Sequence, residues 1–444
     1  MKYILVFCFV MTVTFVSAQS QRSFKIEEAV TFALDSNATA LNAQRDIAKA
    51  IKQKWETTAA GLPQVNASLD YNHQIRQQLG LLPEELRGGP PGQFFPVAFS
   101  AKNTATATAT LTQLIFDGSY LVGLQAAKTF LEFSENANEK TKLEVRKGVI
   151  KAYGGVLLAQ ESIKILDKNI ATLKDNVRET RIIFENGFAE EEDVEQLQIT
   201  LLSLENQRAN AVRIEVIARQ MFNLTLGIDI NEKVTFLDSL EDLAIPAIVL
   251  LNTKIDLEEN VDYKIANNLT GQRELELKLE KSKALPTVGA FINVGTFAGR
   301  GEFDFFDGDQ PWFASSIVGF SLNVPVFSSG LRSARTAQAK IALEQAETER
   351  KDVEQQIYLA YTSAKSDHKL AIDNYTTAQK NIVLAERIEA KNQIKFKEGI
   401  STSFDLRQAQ TQLYQVQQEL LQSMLQIITT KADLETVLNI SENQ

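Results

Sequence analysis

The chain has 444 residues, 44% of them hydrophobic, and a formal net charge of −10. This acidic balance excludes the basic surface by which nucleic-acid-binding proteins attract phosphate. The single cysteine, Cys8, excludes disulfide scaffolds and sites built from several cysteines.

Residues 1–18 have the pattern of a secretory signal peptide. Lys2 precedes an apolar run that ends at Val16, and the small residues Ser17 and Ala18 follow. The run is too short to cross a bilayer as a helix, so we expect cleavage after Ala18. The mature chain would then lack cysteine. Beyond this segment no run of 18 apolar residues predicts a transmembrane helix.

The rest of the sequence contains two similar halves, predicted as structural repeats over residues 19–228 and 229–444. The stretch AAGLPQVNASLDYN in the first half corresponds to SKALPTVGAFINVG in the second, and FENGFAEEED at 184–193 corresponds to FKEGISTSFD at 396–405. Each half has a helical region, an LP dipeptide, two strand-like segments, a glycine turn, a very long helix, an FxxG turn and a return helix. Such self-similarity predicts an internal duplication.

Four segments are predicted as strands, near residues 64–73, 103–116, 287–297 and 314–327. In the last, Val318 and Phe320 alternate with Gly319 and Ser321, so the apolar side chains lie on one face and the polar ones on the other. Each segment is about as long as a tilted strand that crosses an outer membrane.

The segments between these strands are long and are rich in glycine and in aromatic residues. Residues 304–310 read DFFDGDQ, with three acids and a glycine, but the spacing of a calcium-binding loop is absent. The aromatic residues around it indicate an interfacial girdle or a folded external loop.

The long helices carry a heptad seam, in which steps of four and three residues alternate as in a coiled coil. The same seam occurs 212 residues earlier in the chain, and the return helix after residue 403 has a large apolar residue every seven positions. The helix predicted from Ser119 to Phe184 has no proline and would be about 100 Å long. The seam of the second long helix consists of Ile357, Tyr361, Ala364, His368, Ala371, Tyr375, Ala378, Ile382 and Ala385. The matching seam of the first long helix consists of Val149, Ala152, Val156, Ala159, Ile163, Leu166, Ile170 and Leu173. The large apolar residues of the return helix are Leu406, Leu413, Leu420, Ile427 and Leu434.

Four strands cannot close a barrel, and an open sheet in lipid leaves edge N–H and C=O groups unpaired at a cost of several kcal/mol each. The pattern therefore predicts assembly with further copies of the chain. Two copies supply eight strands, whose interior side chains fill, and three supply twelve, which leave an open lumen.

The LP strand entries, the glycine turns at the strand exits, the duplication and the repeated FxxG turns resemble the TolC-like outer-membrane efflux protein family (outer membrane factors). The resemblance extends from about Phe24 to Ile440. It implies an α+β membrane protein: a homotrimer with a twelve-strand outer-membrane β-barrel, four strands from each protomer, continuous with a long periplasmic α-helical barrel. It further implies passive export in a tripartite efflux or type I secretion system. Its partners would be outer-membrane lipid, a periplasmic adaptor and an inner-membrane pump of the RND or ABC type.

The resemblance places the FxxG turns at the periplasmic end of the tube, where acidic side chains narrow the pore. Asp405 and Asp193, with its neighbour Glu192, occupy the matching positions, and in a trimer each would form a ring of three carboxylates that attracts cations. The family arginine is Ser401 here, and a second acid one turn after Asp405 is Gln408. What holds a closed state is therefore left open.

A structural role explains the same residue types. Glycine supplies a positive φ at a helix C-terminus, while Ser401, Ser403 and the acids at 190–193 are suited to cap the following helices. The resemblance also makes the tips the expected adaptor-docking surface, although Phe184 and Phe396 would equally pack the turns, and Phe188 is the better docking candidate. The docking set is Phe184, Gly187, Phe188, Phe396, Gly399 and Ile400.

Few residues offer catalysis or metal binding. The only histidines are His73, in a predicted strand, and His368, predicted to be buried on the seam. Phosphate-binding glycine loops do not follow any strand. We therefore expect no enzyme activity, no cofactor and no metal. The alternative hypothesis is a secreted or periplasmic coiled-coil scaffold without a pore, which would explain the heptads but not the two-faced strands.

Overall fold

The computed structural model describes residues 22–244, 251–309 and 311–440, so the predicted signal peptide lies outside the described residues. The chain forms two compact units. One comprises Met1–Ala43, Glu139–Asn260 and Gln356–Gln444, and the other comprises Gln44–Asn138 and Val261–Gln355. Each unit takes segments from both halves of the sequence.

Helices account for most of the described chain. In chain order the elements are β1 (Arg22–Phe24), α1 (Ile26–Ser36), α2 (Ala38–Ala59), β2 (Gln64–His73), β3 (Leu79–Pro83), a 3₁₀ turn (Glu84–Arg87), β4 (Phe94–Ala98), β5 (Asn103–Phe116), α3 (Gly118–Glu185), α4 (Glu191–Leu226), β6 (Val234–Phe236), α5 (Leu240–Leu243), α6 (Val261–Ser282), β7 (Thr287–Arg300), β8 (Phe313–Asn323), α7 (Leu331–Lys397) and α8 (Ser403–Val437).

The second unit contains a four-stranded antiparallel sheet in the order β2-β5-β7-β8. Its register aligns residues of like chemistry across all four strands. Val65, Leu111, Ile292 and Val318 form one apolar row. Since side chains alternate along a strand, the intervening rows point to the opposite face.

The opposite face of the sheet is largely polar. Ser68 pairs with Thr108, and their hydroxyl groups are 2.9 Å apart. The Asn293 amide donates to the Thr110 hydroxyl at 2.7 Å. The prediction of strands with one apolar and one polar face is therefore confirmed.

Two strand boundaries differ from the prediction. The segment predicted over 314–327 ends at Asn323, and the one predicted over 287–297 continues to Arg300. Asn323 pairs with Thr287, the first residue of β7. Pro325 has no N–H to continue a ladder, which ends β8. At the other end, Arg300 is opposite Asn103, so β5 supplies the partner for the longer β7.

The long connections of this sheet are folded rather than open loops. Residues 74–102, predicted as a connection, contain the antiparallel pair β3 and β4. In the connection between β7 and β8, Phe305 is only 7% exposed and packs against Ala105 and Ala298. The guanidinium carbon of Arg300 lies 6.0 Å from the centre of the Phe305 ring. This loop is therefore folded around Phe305, while its external position and the alternative of an interfacial girdle stay predictions.

The first unit has its main core where α3, α4 and α8 meet the short elements near the N-terminus. Tyr153 is fully buried there, and its hydroxyl donates to the backbone oxygen of Phe24 at 2.8 Å. The parallel pair β1 and β6, which was not predicted, lies beside it: Arg22 pairs with Val234 and Phe24 with Phe236. Three-residue strands are too short to give a periodic signal in the sequence.

The predicted heptad seams are confirmed by burial. On α7, Ala371 is fully buried and Ala378 and Ala385 are nearly so, while on α8 Leu406, Ile427 and Leu434 are at most 2% exposed. Small side chains on one helix and large ones on the other allow close packing. The predicted capping and turn residues then lie where these helices end.

His368 is buried on the seam, as predicted. Its Nδ1 lies 3.0 Å from the hydroxyl of Thr430. Burial lowers the pKa of His368, the positive charge of Lys431 lowers it further, and Glu435 acts in the opposite direction. The neutral imidazole is therefore the form that packs in this interface.

Candidate functional site

The two FxxG turns, which we call tip 1 (residues 184–193) and tip 2 (residues 396–405), have the same backbone. In tip 1, Gly187 N–H donates to the Phe184 oxygen at 2.8 Å and Phe188 N–H to the Ile183 oxygen at 3.0 Å. The Gly187 φ is +79°. This pair of bonds around a left-handed glycine is a Schellman motif, which satisfies the last carbonyl groups of a helix.

Tip 2 repeats that geometry at the end of α7. Gly399 N–H donates to the Phe396 oxygen at 3.0 Å, and Ile400 N–H donates to the Lys395 oxygen at 2.8 Å. The Gly399 φ is +68°. The prediction that each glycine supplies a positive φ is confirmed, and the reason is that only glycine adopts it without a steric cost.

The residue after each glycine is apolar and faces away from the turn. In a Schellman motif this position commonly packs back on the helix. Phe188, however, is 85% exposed and Ile400 is 76% exposed. Each tip therefore presents a large apolar side chain to its surroundings directly after its glycine.

The helix after tip 2 begins at a cap that the sequence reasoning placed one residue away. Thr402, and neither Ser401 nor Ser403, is the N-cap of α8. The hydroxyl of Thr402 accepts from Asp405 N–H at 3.2 Å, and Asp405 Oδ2 accepts from Thr402 N–H at 3.2 Å. This reciprocal pair is a capping box. The pattern Thr-x-x-Asp in TSFD is the signal that could have identified it.

Asp405 lies at the centre of the tip 2 cap. Its Oδ2 also accepts from the hydroxyls of Thr402, at 2.8 Å, and Ser401, at 3.3 Å. The Thr402 hydroxyl is the main cause of a pKa of Asp405 below its usual value of 3.8, and the Thr402 N–H, Ser401 and Lys395 lower it further. Asp405 is exposed and ionised at neutral pH.

Asp193 occupies the equivalent position in tip 1 but has an additional partner. Glu190 is the N-cap of α4, and its N–H donates to Asp193 Oδ2 at 3.3 Å. The other oxygen, Oδ1, accepts from the hydroxyl of Ser403 in tip 2. Ser403 is nearly buried. The two tips are therefore joined by a direct hydrogen bond that no periodic or capping signal in the sequence predicts.

The remaining predicted residues lie around these caps. Glu192 is exposed and its Oε1 accepts from Gln196 at 2.7 Å, and Gln408 is exposed on the second turn of α8. Phe184 is 37% exposed and Phe396 is half-buried. The partial burial of these two rings is consistent with a role in packing the turns. Phe188 is too exposed to have that role.

Phe404 is an exposed tip residue that the sequence reasoning missed. It is 56% exposed, and the Arg407 guanidinium carbon lies 5.3 Å from the centre of its ring. Lys397 of α7 also approaches Glu179 of α3, with 3.6 Å between the charged atoms. Lys397 and Arg407 therefore place basic side chains at and beside tip 2, whereas α4 begins with consecutive acids, Glu191 to Asp193.

The described residues offer neither a clustered metal site nor a helix suited to cross a membrane. Over residues 22–244, 251–309 and 311–440, no group of three or more His, Asp or Glu side chains is placed to hold a metal ion. No helix in those ranges combines the length and the apolar character that crossing a membrane requires.

Comparison with known proteins connects this architecture to a family. Residues 30–225 and 272–439 match the profile of the family described as outer membrane efflux protein. The outer membrane efflux protein BepC of Brucella suis biovar 1 is 24% identical over 324 residues, which cover 72% of this chain and 69% of BepC.

A second relative and a solved structure agree with that match. The alkaline protease secretion protein AprF of Pseudomonas aeruginosa is 22% identical over 341 residues, covering 74% of this chain and 68% of AprF. The Campylobacter jejuni CmeC outer membrane channel superposes with a TM-score of 0.75 at 16% identity, over 93% of this chain and 85% of that one. The fold is that of TolC-like outer-membrane channels, and the protein is located in the outer membrane and extends into the periplasm. The chain belongs to the outer membrane efflux protein family.

Proposed function

We propose that three copies of this chain form the outer-membrane exit channel of a tripartite efflux or type I secretion system. The observation that carries the proposal is the four-stranded sheet, whose outer strands β2 and β8 pair on one side only within the described residues. In lipid, unpaired edge groups cost several kcal/mol each. Pairing of β8 with β2 of the next copy would remove both edges.

The two faces of the sheet support a barrel with a watery interior. The apolar row from Val65 to Val318 suits lipid, and the row of Ser68, Thr108, Gly295 and Ser315 suits water. Twelve strands from three copies enclose an open lumen, whereas eight strands from two are filled by side chains. This comparison favours three copies.

The helices would extend the passage into the periplasm. Each half of the sequence, 19–228 and 229–444, contributes one long helix and one return helix: α3 and α4 from the first, α7 and α8 from the second. We interpret these halves as duplicated repeats. Twelve helical passes from three copies would form a tube, with the tips at its periplasmic end.

The tips are the proposed constriction. Three copies of Asp405 would form a carboxylate ring, with Ser401 donating to it and Gln408 one turn along α8. Asp193 and Glu192 would form a second ring. Such rings attract cations and exclude anions.

The tips are also the proposed adaptor-docking surface. Phe188 and Ile400 support this, since both are large, apolar and highly exposed. Phe184, Gly187, Phe396 and Gly399 shape the turns that present them.

Export through this channel would be passive. The chain would receive its substrates from an inner-membrane pump of the RND or ABC type through a periplasmic adaptor. The relatives are named for efflux, BepC, and for alkaline protease secretion, AprF. Both names fit an exit channel that serves whichever substrate the pump delivers.

The test is conductance of the purified protein in planar bilayers. We expect steady ion conductance with a preference for cations, and a smaller preference in Asp405→Ala. Asp373→Ala, which removes an exposed acid of α7 away from the tips, is the matched control. Unchanged selectivity in Asp405→Ala would reduce Asp405 to a helix cap. A water-soluble protein without conductance would favour the coiled-coil scaffold instead.

A further inference from the structure

One row of the four-stranded sheet differs from the others on the polar face. Asp70 of β2 pairs with Thr106 of β5, which pairs with Phe297 of β7. Phe297 in turn pairs with Phe313 of β8. We call these four residues the Asp70 row. Asp70 is two positions after Ser68, so the Asp70 row lies on the polar face, which the proposed channel turns toward its lumen.

Asp70 supplies the only charge on the polar face of the four described strands. His73 and Arg300, the basic residues of these strands, share a row on the opposite face. Asp70 is exposed, and its Oδ2 accepts from the Ser68 hydroxyl at 3.3 Å. Within the described residues no lysine or arginine pairs with it. Its carboxylate is therefore free to attract a cation from solution.

The two phenylalanines of the row are open to solvent. Phe297 is 43% exposed and Phe313 is 60% exposed. On β7, Gly295 and Gly299 lie on either side of Phe297 on the same face, so no neighbouring side chain of its strand covers the ring. A Cβ atom at Gly299 would lie 3.5 Å from Cζ of Phe297, which shows that the ring leans into the space that glycine leaves. Both rings are thus available to a ligand.

Phe291, another aromatic residue on this face, shows what a purely structural role looks like. A Cβ atom at Gly319 of β8 would lie 2.5 Å from Cζ of its ring. The ring therefore lies over this glycine and packs on the wall of the sheet, as aromatic residues do beside a strand glycine. Its row, with Gln64 and Thr112, contains no charge. Wall packing accounts for Phe291 but not for the exposed rings of the Asp70 row.

The spacing of the row suits a ligand with a positive charge and a flat apolar group. Neighbouring strands are about 4.8 Å apart, so the backbones at Asp70 and Phe297 are separated by about 10 Å. The short side chain of Thr106 lies between them. An ammonium group above Thr106 would contact the carboxylate on one side and the ring of Phe297 on the other, where the face of the ring attracts a cation. A flat apolar group attached to it would reach Phe313.

We propose that the Asp70 row binds organic cations that carry an aromatic group while these pass through the channel. The occupant follows from charge and shape, because Asp70 attracts a cation and the two rings favour an aromatic part. An inorganic cation gains nothing from apolar contact with Phe313, and an organic anion is repelled by the carboxylate. This inference rests on the proposed channel, because the polar face lines a passage only when copies close a barrel. It specifies one class of exported solute.

Photolabelling of the full chain in detergent tests this site. The probe is 4-azidobenzyltrimethylammonium, which loses N₂ on illumination and attaches to the side chains around it. Peptide mass spectrometry then locates the label. We expect it on β2, β5, β7 and β8 at the level of the Asp70 row. Benzyltrimethylammonium should prevent the labelling, whereas tetramethylammonium, which lacks the ring, and benzenesulfonate, which has the opposite charge, should not.

Conservative variants separate the charge from the rings. Asp70→Asn and Phe297→Leu should each lower the yield of label about fivefold at low probe concentration, because each removes one attractive contact. Phe297→Tyr keeps an aromatic face and should retain most of the labelling. Glu302→Gln, which changes an exposed acid in the connection between β7 and β8, is the control for charge. Phe320→Leu, on the opposite face of β8, is the control for the ring.

The outcomes separate the site from the channel. Conductance of the same preparation in planar bilayers shows whether a channel is present. A conducting protein whose labelling is unchanged in Asp70→Asn and Phe297→Leu overturns the site and leaves the channel standing. Label found around Phe320 instead, on the apolar face, means that the probe entered through detergent and also overturns the site. A monomer without conductance overturns both.

Discussion

Tip 1 and tip 2 show how one backbone serves two different chemistries. Both reverse the chain through a Schellman motif with glycine at positive φ, Gly187 in one and Gly399 in the other. Both place an aspartate at the third position of the following helix. The aspartates then differ in their partners. Asp405 binds within its own cap, while Asp193 also binds Ser403 of the other tip.

The difference teaches that a repeat in the sequence determines local geometry more strongly than it determines contacts. Backbone turns and caps depend on a few neighbouring residues, and the two FxxG segments share these residues. The cross-tip bond depends on how four helices pack. A carboxylate held between two tips is expected to stabilise the contact of the tips, whereas one held in its own cap stabilises only the start of its helix.

The largest expected effect is on the cross-tip bond. Ser403→Ala removes the donor to Asp193 and should lower the free energy of unfolding by about 2 kcal/mol, as for a hydrogen bond to a charged group. A double-mutant cycle with Asp193→Ala should give a coupling of about 1–2 kcal/mol. Denaturant unfolding in detergent, at one protein concentration, measures the free energy of unfolding of each variant and hence the coupling. Thr411→Ala, an exposed site on α8, is the control. Additive effects would contradict a bond between the tips.

The next effect tests whether the two turns are equivalent. Gly187→Ala and Gly399→Ala should each cost about 1.5 kcal/mol, because alanine is strained in the left-handed region. The same unfolding measurement applies. Gly301→Ala, at a glycine without positive φ and with open space around it, should be nearly neutral. A large difference between the two tip variants would break the equivalence.

A smaller effect on stability depends on pH and concerns Asp405. The Thr402 contacts hold the pKa of Asp405 below 3.8, so their stabilisation is present above about that pH and is lost as the pH falls through the lowered pKa. Thr402→Val should raise this pKa and cost about 1 kcal/mol as a lost cap.

Conductance in planar bilayers over a range of pH measures this shift. Cation preference should disappear at a higher pH in Thr402→Val than in the parent protein. Thr411→Val is the control on the same helix. An unchanged pH dependence would show that Asp405 does not govern selectivity.

The smallest effect on stability is expected for the exposed side chain of tip 1. Phe188→Ala should change the free energy of unfolding by no more than about 0.5 kcal/mol, as is usual for surface sites. It should nevertheless reduce the yield of partner proteins cross-linked and copurified from the native host. Phe184→Ala should show the reverse balance, with lower stability and a smaller loss of partners. Full partner recovery with Phe188→Ala would remove it from the docking surface.

Much of the fold was predictable because it depends on periodic patterns. The strand over 103–116 and the helix predicted from Ser119 to Phe184 match the structure to within one residue. Alternation and heptads repeat over many residues, so they identify an element and its buried face together. The buried seam residues, including His368, follow from the same periodicity.

Features that depend on a few residues or on distant contacts were harder to predict. The β3–β4 pair and the parallel β1–β6 pair are too short to show a period. The cap at Thr402 had a local signal in TSFD, but the flanking serines obscured it. The Ser403–Asp193 bond had none, because it joins residues 210 positions apart.

The number of copies around a shared axis tests the central claim most directly. Electron cryomicroscopy of the full chain in detergent or nanodiscs should show three copies, twelve strands with β8 of each paired to β2 of the next, and one continuous lumen. A single protomer whose sheet edges are covered by its own helices, with no passage through it, would contradict the account.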